Sequence, residues 1–196
     1  MSSPTIYLIT GASRGIGLAL TQTLLLRPNT TVVATMRNPT TNSLYTNPPQ
    51  TSPTSTLILL PLDIQSTTSI TTAIETLESK HNITHIDTVI SNAGYYNDAT
   101  RRVDNIPLST VQSHFDVNTL GTIRLFQGVY DMLKKSTKPV FVKTEMGNAC
   151  AKSIGLEEAF AEPKECAEAL VKLIESATRE TVGGRFISWR GEEVPF

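Results

Sequence analysis

The chain has 196 residues, of which 39% are hydrophobic and 18% are charged, and its formal net charge at pH 7 is −1. This composition predicts one compact domain over residues 1–196, with a full core and no room for a second folded domain. A near-neutral charge and a pI near 6.3 remove the electrostatic basis for binding nucleic acid or an anionic membrane. We therefore expect a small-molecule ligand and neither nucleic-acid nor membrane partners.

Cysteine usage and the first residues of the chain indicate a compartment. The two cysteines, Cys150 and Cys166, fit neither a disulfide framework nor a metal motif. Residues 1–10 lack the basic and long apolar regions of a signal peptide, and no apolar run is long enough to span a bilayer. We expect a reduced cytoplasmic protein without a metal site.

Short apolar strands alternate with helical patterns along the chain. Strands are predicted at residues 5–9, 31–35, 57–60, 88–90, 138–142 and 184–188, and helices after residue 16 and at 67–80, 117–135 and 163–177, with a helix or lid at 147–161. Such alternation predicts an α/β fold with a parallel sheet and right-handed crossovers. Residues 38–56 are rich in proline and hydroxyl side chains, which resist a regular helix, so a mobile surface loop is expected there.

A glycine-rich sequence, TGASRGIG, occupies residues 10–17, between the first strand and the first helix. Gly11 permits a tight turn, and the absence of side chains at Gly15 and Gly17 lets backbone approach phosphate and lets helix approach sheet. The free N–H groups of the helix start favour an anionic pyrophosphate. Because a strand precedes it and a helix follows, this motif predicts a dinucleotide site rather than an ordinary turn.

The TGxxxGxG spacing resembles the fingerprint of the short-chain dehydrogenase/reductase family. Three further matches follow in the family's order: Asp63 in LDI, Asn92 in NAG, and Asn118 in VNTLG. The resemblance implies a three-layer Rossmann-type doubly wound sheet, with Asp63 on the adenine ring, the NAG turn lining the cofactor site, and Asn118 holding a catalytic proton-relay water. Singly, Asp63 could cap a helix, Asn92 could close a turn and Asn118 could be a solvated residue. Because all three matches occur in the same order as in the family, the family resemblance is favoured over these separate explanations.

The cofactor preference is predicted from the end of the second strand. NAD sites place an acidic residue there for the ribose 2′-OH, whereas this chain has Arg37 and no acid. Arg37 can offer a planar fork to a 2′-phosphate, with Arg14 approaching from the glycine turn, although either could simply be solvated. NADP is therefore the expected cofactor. The motif and the resemblance together predict cofactor contacts from Gly11, Ser13, Arg14, Gly15, Ile16, Gly17, Arg37, Asp63, Asn92, Ala93, Gly94, Arg124, Val142 and Thr144.

The resemblance also implies a catalytic segment that this sequence does not contain. The family carries a serine pair and then YxxxK after its fifth strand, with the lysine lowering the pKa of a tyrosine that is otherwise near ~10. Here the only YxxxK is Tyr130 to Lys134, on the helix before that strand, where the family has an interface helix. After Val142 the sequence matches a later VxTxM segment, so one inner strand-helix unit of about fifty residues is missing.

Three functional hypotheses follow. The first is an NADP-dependent carbonyl reductase or alcohol dehydrogenase, most like fungal ketoreductases of the norsolorinic acid ketoreductase type, whose sequence lacks a block through a skipped exon or an imperfect gene model. A reading frame with YxxxK between the codons of Val142 and Lys143 would support it. The second is a non-catalytic NADP-binding protein that interacts with an intact paralogue through the helix at residues 117–135. A homo-oligomer is left open as a further partner. The third is a product without a stable fold, since loss of an inner strand and helix exposes apolar faces.

Overall fold

The computed structural model describes residues 3–96, 104–136, 140–143, 163–176 and 191–192. Its strands are β1 Thr5–Thr10, β2 Thr30–Met36, β3 Thr56–Pro61, β4 Thr88–Ser91 and β5 Val140–Lys143. Its helices are α1 Gly15–Leu25, α2 Ser43–Thr46, α3 Thr67–His81, α4 Leu108–Phe115, α5 Gly121–Lys134 and α6 Pro163–Ser176, and a π-helical turn, Asp116–Leu120, joins α4 to α5. Within these residues, no helix combines the length and the apolar character that a bilayer crossing requires.

The five strands form one parallel sheet in the order β3-β2-β1-β4-β5. The order reverses beside β1, because the chain first moves outward through β2 and β3 and then returns to β4 on the other side of β1. In doubly wound sheets, ligands bind outside the carboxyl ends of the strands at this reversal. The predicted doubly wound Rossmann-type sheet is confirmed, and its switch point lies between β1 and β4.

Helices cover both faces of the sheet, as the alternation of side chains along the strands requires. On β1, Ile6 and Leu8 belong to the core cluster under α3 and α5. Tyr7 and Ile9 belong to the cluster under α1 and α6. Successive residues of one strand therefore supply two separate cores, and the predicted three-layer arrangement is confirmed.

The prediction of a loop without regular helix over residues 38–56 is wrong at α2. Asn42 caps this one-turn helix by accepting a hydrogen bond from the Leu44 N–H at 3.0 Å, and the Leu44 side chain is 2% exposed in the core beside α1. One buried leucine and one cap outweigh the low helix propensity of the neighbouring residues. Composition alone missed the helix because the burial of Leu44 is a tertiary contact, although the Asn42 cap is local.

Helix α4 was not predicted, because the predicted helix began only at residue 117. The sequence does carry a helical pattern here, since Leu108, Val111 and Phe115 recur at helical spacing, although none of the three is buried. The predicted strand at 138–142 appears as β5, which pairs with β4, and the predicted helix at 163–177 appears as α6. The predicted helix or lid at 147–161 and the strand at 184–188 lie outside the described residues.

Candidate functional site

The glycine loop after β1 packs directly against the turn after β4. Gly11 has φ +67, and a Cβ added to it would lie 2.8 Å from the Cα of Ala93. Ala93 is itself half-buried against the core beneath α3 and α5, while Gly94, which follows it, is exposed. The two predicted motifs, TGASRGIG and NAG, are therefore in contact at the switch point.

Gly17 and Gly15 occupy opposite environments. A Cβ at Gly17 would lie 2.5 Å from Asn92 Nδ2 and in steric conflict with the Gly11 carbonyl oxygen. At Gly15, which has φ +57, an added Cβ would meet no atom within 4 Å. Glycine at 17 is therefore required for packing within the protein, whereas Gly15 borders open space on the side where a ligand can approach.

Thr10 and Asn92 hold the loop in this shape. The Thr10 hydroxyl accepts hydrogen bonds from the N–H groups of Asn92 at 3.1 Å and Ala93 at 3.0 Å. The Asn92 side-chain amide donates to the carbonyls of Thr10 at 2.9 Å and Gly11 at 3.2 Å. Asn92 therefore uses its amide N–H groups to join β4 to the glycine loop. Thr10 was not among the predicted site residues, although it is the first letter of the TGxxxGxG pattern.

The first turn of α1 begins at Gly15 without a side-chain cap, so its first N–H groups lack the partner that a cap would supply. Arg14 is the N-cap, its side chain makes no capping hydrogen bond, and no acidic residue lies in the first turn. Ser13 is half-buried, and Ile16 is half-buried against the α1 core. A helix start without a side-chain cap and without a carboxylate suits a phosphate, so the residues present fit the pyrophosphate of a dinucleotide.

Two cations flank the loop. Arg14 and Arg37, the residue after β2, both have exposed side chains, and neither has an ion-pair partner among the described residues. β1 and β2 pair in register, with Thr10 opposite Thr35, so Arg37 leaves the sheet at the same edge as the glycine loop. Both guanidinium groups are thus available to an anionic ligand.

The remaining predicted cofactor residues after β3 and on α5 have protein partners. Asp63 Oδ1 accepts the N–H of Gln65 at 2.9 Å, which closes the turn before α3, and Ser66 rather than Asp63 caps that helix. Arg124 donates to the Asp116 carboxylate at 2.6 Å, and Gln65 Nε2 donates to the same group at 2.9 Å. Hydrogen bonds from Gln65 and Arg124 hold the pKa of Asp116 below its usual value.

Asn118 lies in the π-helical turn, a feature that is frequent at functional sites. Its Oδ1 accepts the N–H of Tyr95 at 2.8 Å, and its Nδ2 donates to the Tyr95 carbonyl at 2.9 Å. The Asn118 amide therefore fixes the backbone just after the NAG turn. This contact was not predicted, because nothing in the sequence indicates which backbone segment faces the helix.

The YxxxK pair on α5 is remote from the glycine loop. Gly121, at the start of α5, faces Ile64 just beyond the carboxyl end of β3. Met132, near the end of α5, accepts a hydrogen bond from Ile86, just before the amino end of β4. Tyr130 therefore lies toward the amino edge of the sheet, 47% exposed, with Lys134 Nζ over its ring at 5.2 Å.

Two predicted nicotinamide contacts lie at or beyond the end of the described sheet. Val142 is part of β5, where it pairs with Ile90 of β4, and only its backbone is described. Thr144 lies outside the described residues. The carboxyl ends of β1, β4 and β5 are thus side by side, which brings the neighbourhood of Val142 to the same edge as the glycine loop.

Comparison with protein families gives a match over most of the chain. The family model described as short chain dehydrogenase matches residues 5–177. The short chain dehydrogenase gsfK of Penicillium aethiopicum is 43% identical over 134 residues, which are 68% of this chain and 52% of that protein. The norsolorinic acid ketoreductase nor1 of Dothistroma septosporum is 38% identical over 135 residues, or 69% of this chain and 50% of that protein. The chain thus spans about half the length of these curated relatives.

A third relative contains positions within the aligned region that this chain lacks. The short-chain dehydrogenase RED3 of Pyricularia oryzae aligns over 242 residues, with 25% identity and 96% of both chains covered. Since this chain has 196 residues, an alignment of 242 contains at least 46 positions (242 minus 196) without a counterpart here. The predicted omission of about fifty residues is of that size.

The fold also has solved counterparts. The crystal structure of NADPH-bound carbonyl reductase from chicken fatty liver superposes with a TM-score of 0.75 at 19% sequence identity, covering 100% of both chains. At that identity the similarity concerns the fold. The observed order of strands and helices is therefore that of a known Rossmann-type reductase architecture.

Proposed function

We propose that this chain, which belongs to the short-chain dehydrogenase family, binds NADP through its glycine loop and is impaired in catalysis. Its intact counterparts would reduce a small carbonyl substrate or oxidise the corresponding alcohol. The observation that carries the binding proposal is the open side of the loop at Gly15, where an added Cβ would meet no atom within 4 Å from the other described residues outside its own turn. The adjacent start of α1 offers N–H groups without a cap or a carboxylate.

The binding residues form two groups in this proposal. Gly15, Ile16 and the other N–H groups at the start of α1 hold the pyrophosphate. Arg14 and Arg37 hold the 2′-phosphate, since both are exposed and have no ion-pair partner in the described part of the chain. Asp63, Ala93 and Gly94 line the adenosine side, as the resemblance implies. When bound, NADPH supplies the hydride, and the chain's own residues bind and orient it.

The impairment is proposed from the position of the general acid. Reduction of a ketone needs a proton donor beside the carbonyl oxygen, with a cation to bring a phenol into a useful pKa range. The only YxxxK of the sequence runs from Tyr130 to Lys134 on the exposed face of α5. Both the oxygen and the nitrogen of the Asn118 amide are hydrogen-bonded to the Tyr95 backbone. We therefore expect cofactor binding with little or no turnover of a polycyclic aromatic ketone.

Cofactor selectivity tests the binding proposal. Arg37→Gln removes a charge-assisted hydrogen bond to phosphate, worth about 1.5–3 kcal/mol, so the Kd for NADPH should rise about 10- to 100-fold while that for NADH is unchanged. Lys80→Gln, on the last turn of α3, removes one positive charge elsewhere and serves as the control. Equal NADPH affinity in both variants would refute the role of Arg37.

A second candidate function is supported by the outer face of α4 and α5. Among the described residues, eight large hydrophobic side chains are exposed, and six belong to these two helices: Leu108, Val111, Phe115, Ile123, Phe126 and Tyr130. Exposed apolar side chains concentrated on two consecutive helices are typical of protein contact surfaces. In this alternative the chain is a non-catalytic NADP-binding protein that associates with itself or with another chain. A monomer at all concentrations in analytical ultracentrifugation would exclude self-association.

The intact mass of the protein isolated from its source shows whether the functional protein contains the missing block or lacks it. An intact mass several kilodaltons above 21.4 kDa would mean that the functional protein contains the additional block and that the impairment does not apply to it. A mass equal to that value would support a binding protein without the catalytic pair.

A further inference from the structure

The segment that carries Arg37 is fastened to the glycine loop at both ends. At its start, the N–H of Ala12 donates to the Thr35 carbonyl at 3.1 Å. At its end, Asn42 Nδ2 donates to the Ser13 carbonyl at 3.0 Å. Because Ala12 and Ser13 are consecutive, residues 35–42 form a closed loop against the glycine motif, with Arg37 inside it.

Asn42 is itself held in place by several contacts. Its N–H donates to the Pro39 carbonyl at 3.1 Å, and its Oδ1 accepts the Leu44 N–H at 3.0 Å. Leu44 is 2% exposed, so α2 is anchored in the core beside α1. The Asn42 amide therefore links α2, which the buried Leu44 side chain anchors, to the Ser13 carbonyl, one residue before Arg14.

From this arrangement we infer that Asn42 is a positioning residue for recognition of the cofactor's 2′-phosphate. It fixes the Ser13–Arg14 backbone relative to the segment that carries Arg37, and so sets the spacing of the two guanidinium groups. The inference rests on the proposed NADP function. Arginine side chains are long and lose much rotamer freedom on binding, so their joint contact with one phosphate depends on how well their backbones are held.

The geometry separates this role from a general role in holding the glycine loop. Thr10 and Asn92 shape the glycine loop beside Gly15 through hydrogen bonds that include the Gly11 carbonyl and the Ala93 N–H, whereas Asn42 bonds to the Ser13 carbonyl. Loss of the Asn42 bond opens the loop that contains Arg37 while the bonds of Thr10 and Asn92 remain. NADPH binding should therefore weaken, whereas NADH, which has no 2′-phosphate, should bind as before.

The test compares Asn42→Ser with Asn47→Ser by calorimetric titration with NADPH and NADH. Serine caps a helix as well as asparagine does, but it is too short to reach Ser13, so α2 is kept while the donated hydrogen bond is lost. Asn47, the exposed C-cap of α2, gives the same chemical change without a bond to the glycine loop. For Asn42→Ser we expect a rise in the NADPH Kd of about 3- to 10-fold, the effect of one neutral hydrogen bond, and less than about a twofold change for NADH.

Asn42→Thr provides a second, uncharged variant with the cap retained, since its hydroxyl accepts the Leu44 N–H but is too short to donate to Ser13. It should also weaken NADPH more than NADH. Unchanged NADPH affinity in Asn42→Ser, or an equal loss for both nucleotides, overturns the inference and leaves the proposed function standing. Failure of the unsubstituted chain to bind either nucleotide overturns the proposed function and this inference with it.

Discussion

Alanine at Gly17 and at Gly15 should separate the packing role of the glycine motif from its binding role. At Gly17 the new methyl group would meet Asn92 Nδ2 at 2.5 Å and overlap the Gly11 carbonyl, so either the loop or the Asn92 amide must move. Overpacking costs about 1–3 kcal/mol, and weakening the two Asn92 hydrogen bonds adds about 1 kcal/mol each. The better helix propensity of alanine returns about 1 kcal/mol. We expect a net loss of about 2–4 kcal/mol.

At Gly15 the same methyl group would enter open space. A residue with a side chain at φ +57 costs about 1–2 kcal/mol, and the reduced freedom of the unfolded chain returns about 0.4–1 kcal/mol. The net loss should be about 1 kcal/mol. Yet the methyl group would occupy the space proposed for the pyrophosphate, so NADPH binding should fall in this variant despite its near-normal stability.

Urea unfolding followed by circular dichroism measures the free energies, and fluorescence titration measures NADPH binding. The expected pattern is that Gly15→Ala loses binding but little stability, whereas Gly17→Ala loses both. Wild-type NADPH affinity in Gly15→Ala would refute the assignment of the open side to the cofactor. Equal stability of the two variants would refute the packing argument at Gly17.

Three further predictions concern stability. Leu44→Ala should lower the free energy of unfolding by about 2–5 kcal/mol in urea, and a loss below about 1 kcal/mol would contradict the anchoring of α2 in the core. Asn118→Ala leaves the Tyr95 N–H and carbonyl without their partner and should cost about 1–3 kcal/mol; an unchanged midpoint in thermal unfolding would be contrary evidence. Because the pKa of Asp116 is lowered in the folded chain, its carboxylate stabilises the fold at pH values above 3.8, the ordinary pKa of the group. This contribution is lost as the pH falls through the lowered pKa of the folded state. Asp116→Asn should therefore lose less stability on acidification than the unsubstituted chain, and identical acid profiles would show that the carboxylate contributes nothing.

The sequence predicted the sheet and the glycine loop because both depend on local patterns. β1 to β4 are β-branched or apolar runs between turn residues, and each of their observed bounds lies within one residue of the predicted one. Gly11 and Gly15 have positive φ, a backbone conformation that favours glycine. The glycines of the motif therefore indicate the turn directly in the sequence. The order of motifs in the resembled family then predicted that Asn92 belongs to the same site.

The rest depends on tertiary contacts that no local pattern encodes. Helix α2 exists because Leu44 fits the core, and the bond from Asn42 to Ser13 joins residues 29 positions apart. Arg124, a predicted cofactor contact, donates to the Asp116 carboxylate eight residues earlier in the chain, and the sequence did not indicate this pairing. Proximity of this kind follows from packing, so it could be found only in the folded chain.

In the proposed function, this chain binds NADP and does not turn it over. The most direct measurement is calorimetric titration of the purified 196-residue chain with NADPH, followed by addition of a polycyclic aromatic ketone to the same sample. We expect saturable binding at one site, tighter for NADPH than for NADH, and no oxidation of NADPH after the ketone is added. Absence of binding would contradict the proposed site, and ketone-dependent oxidation of NADPH would contradict the proposed loss of catalysis.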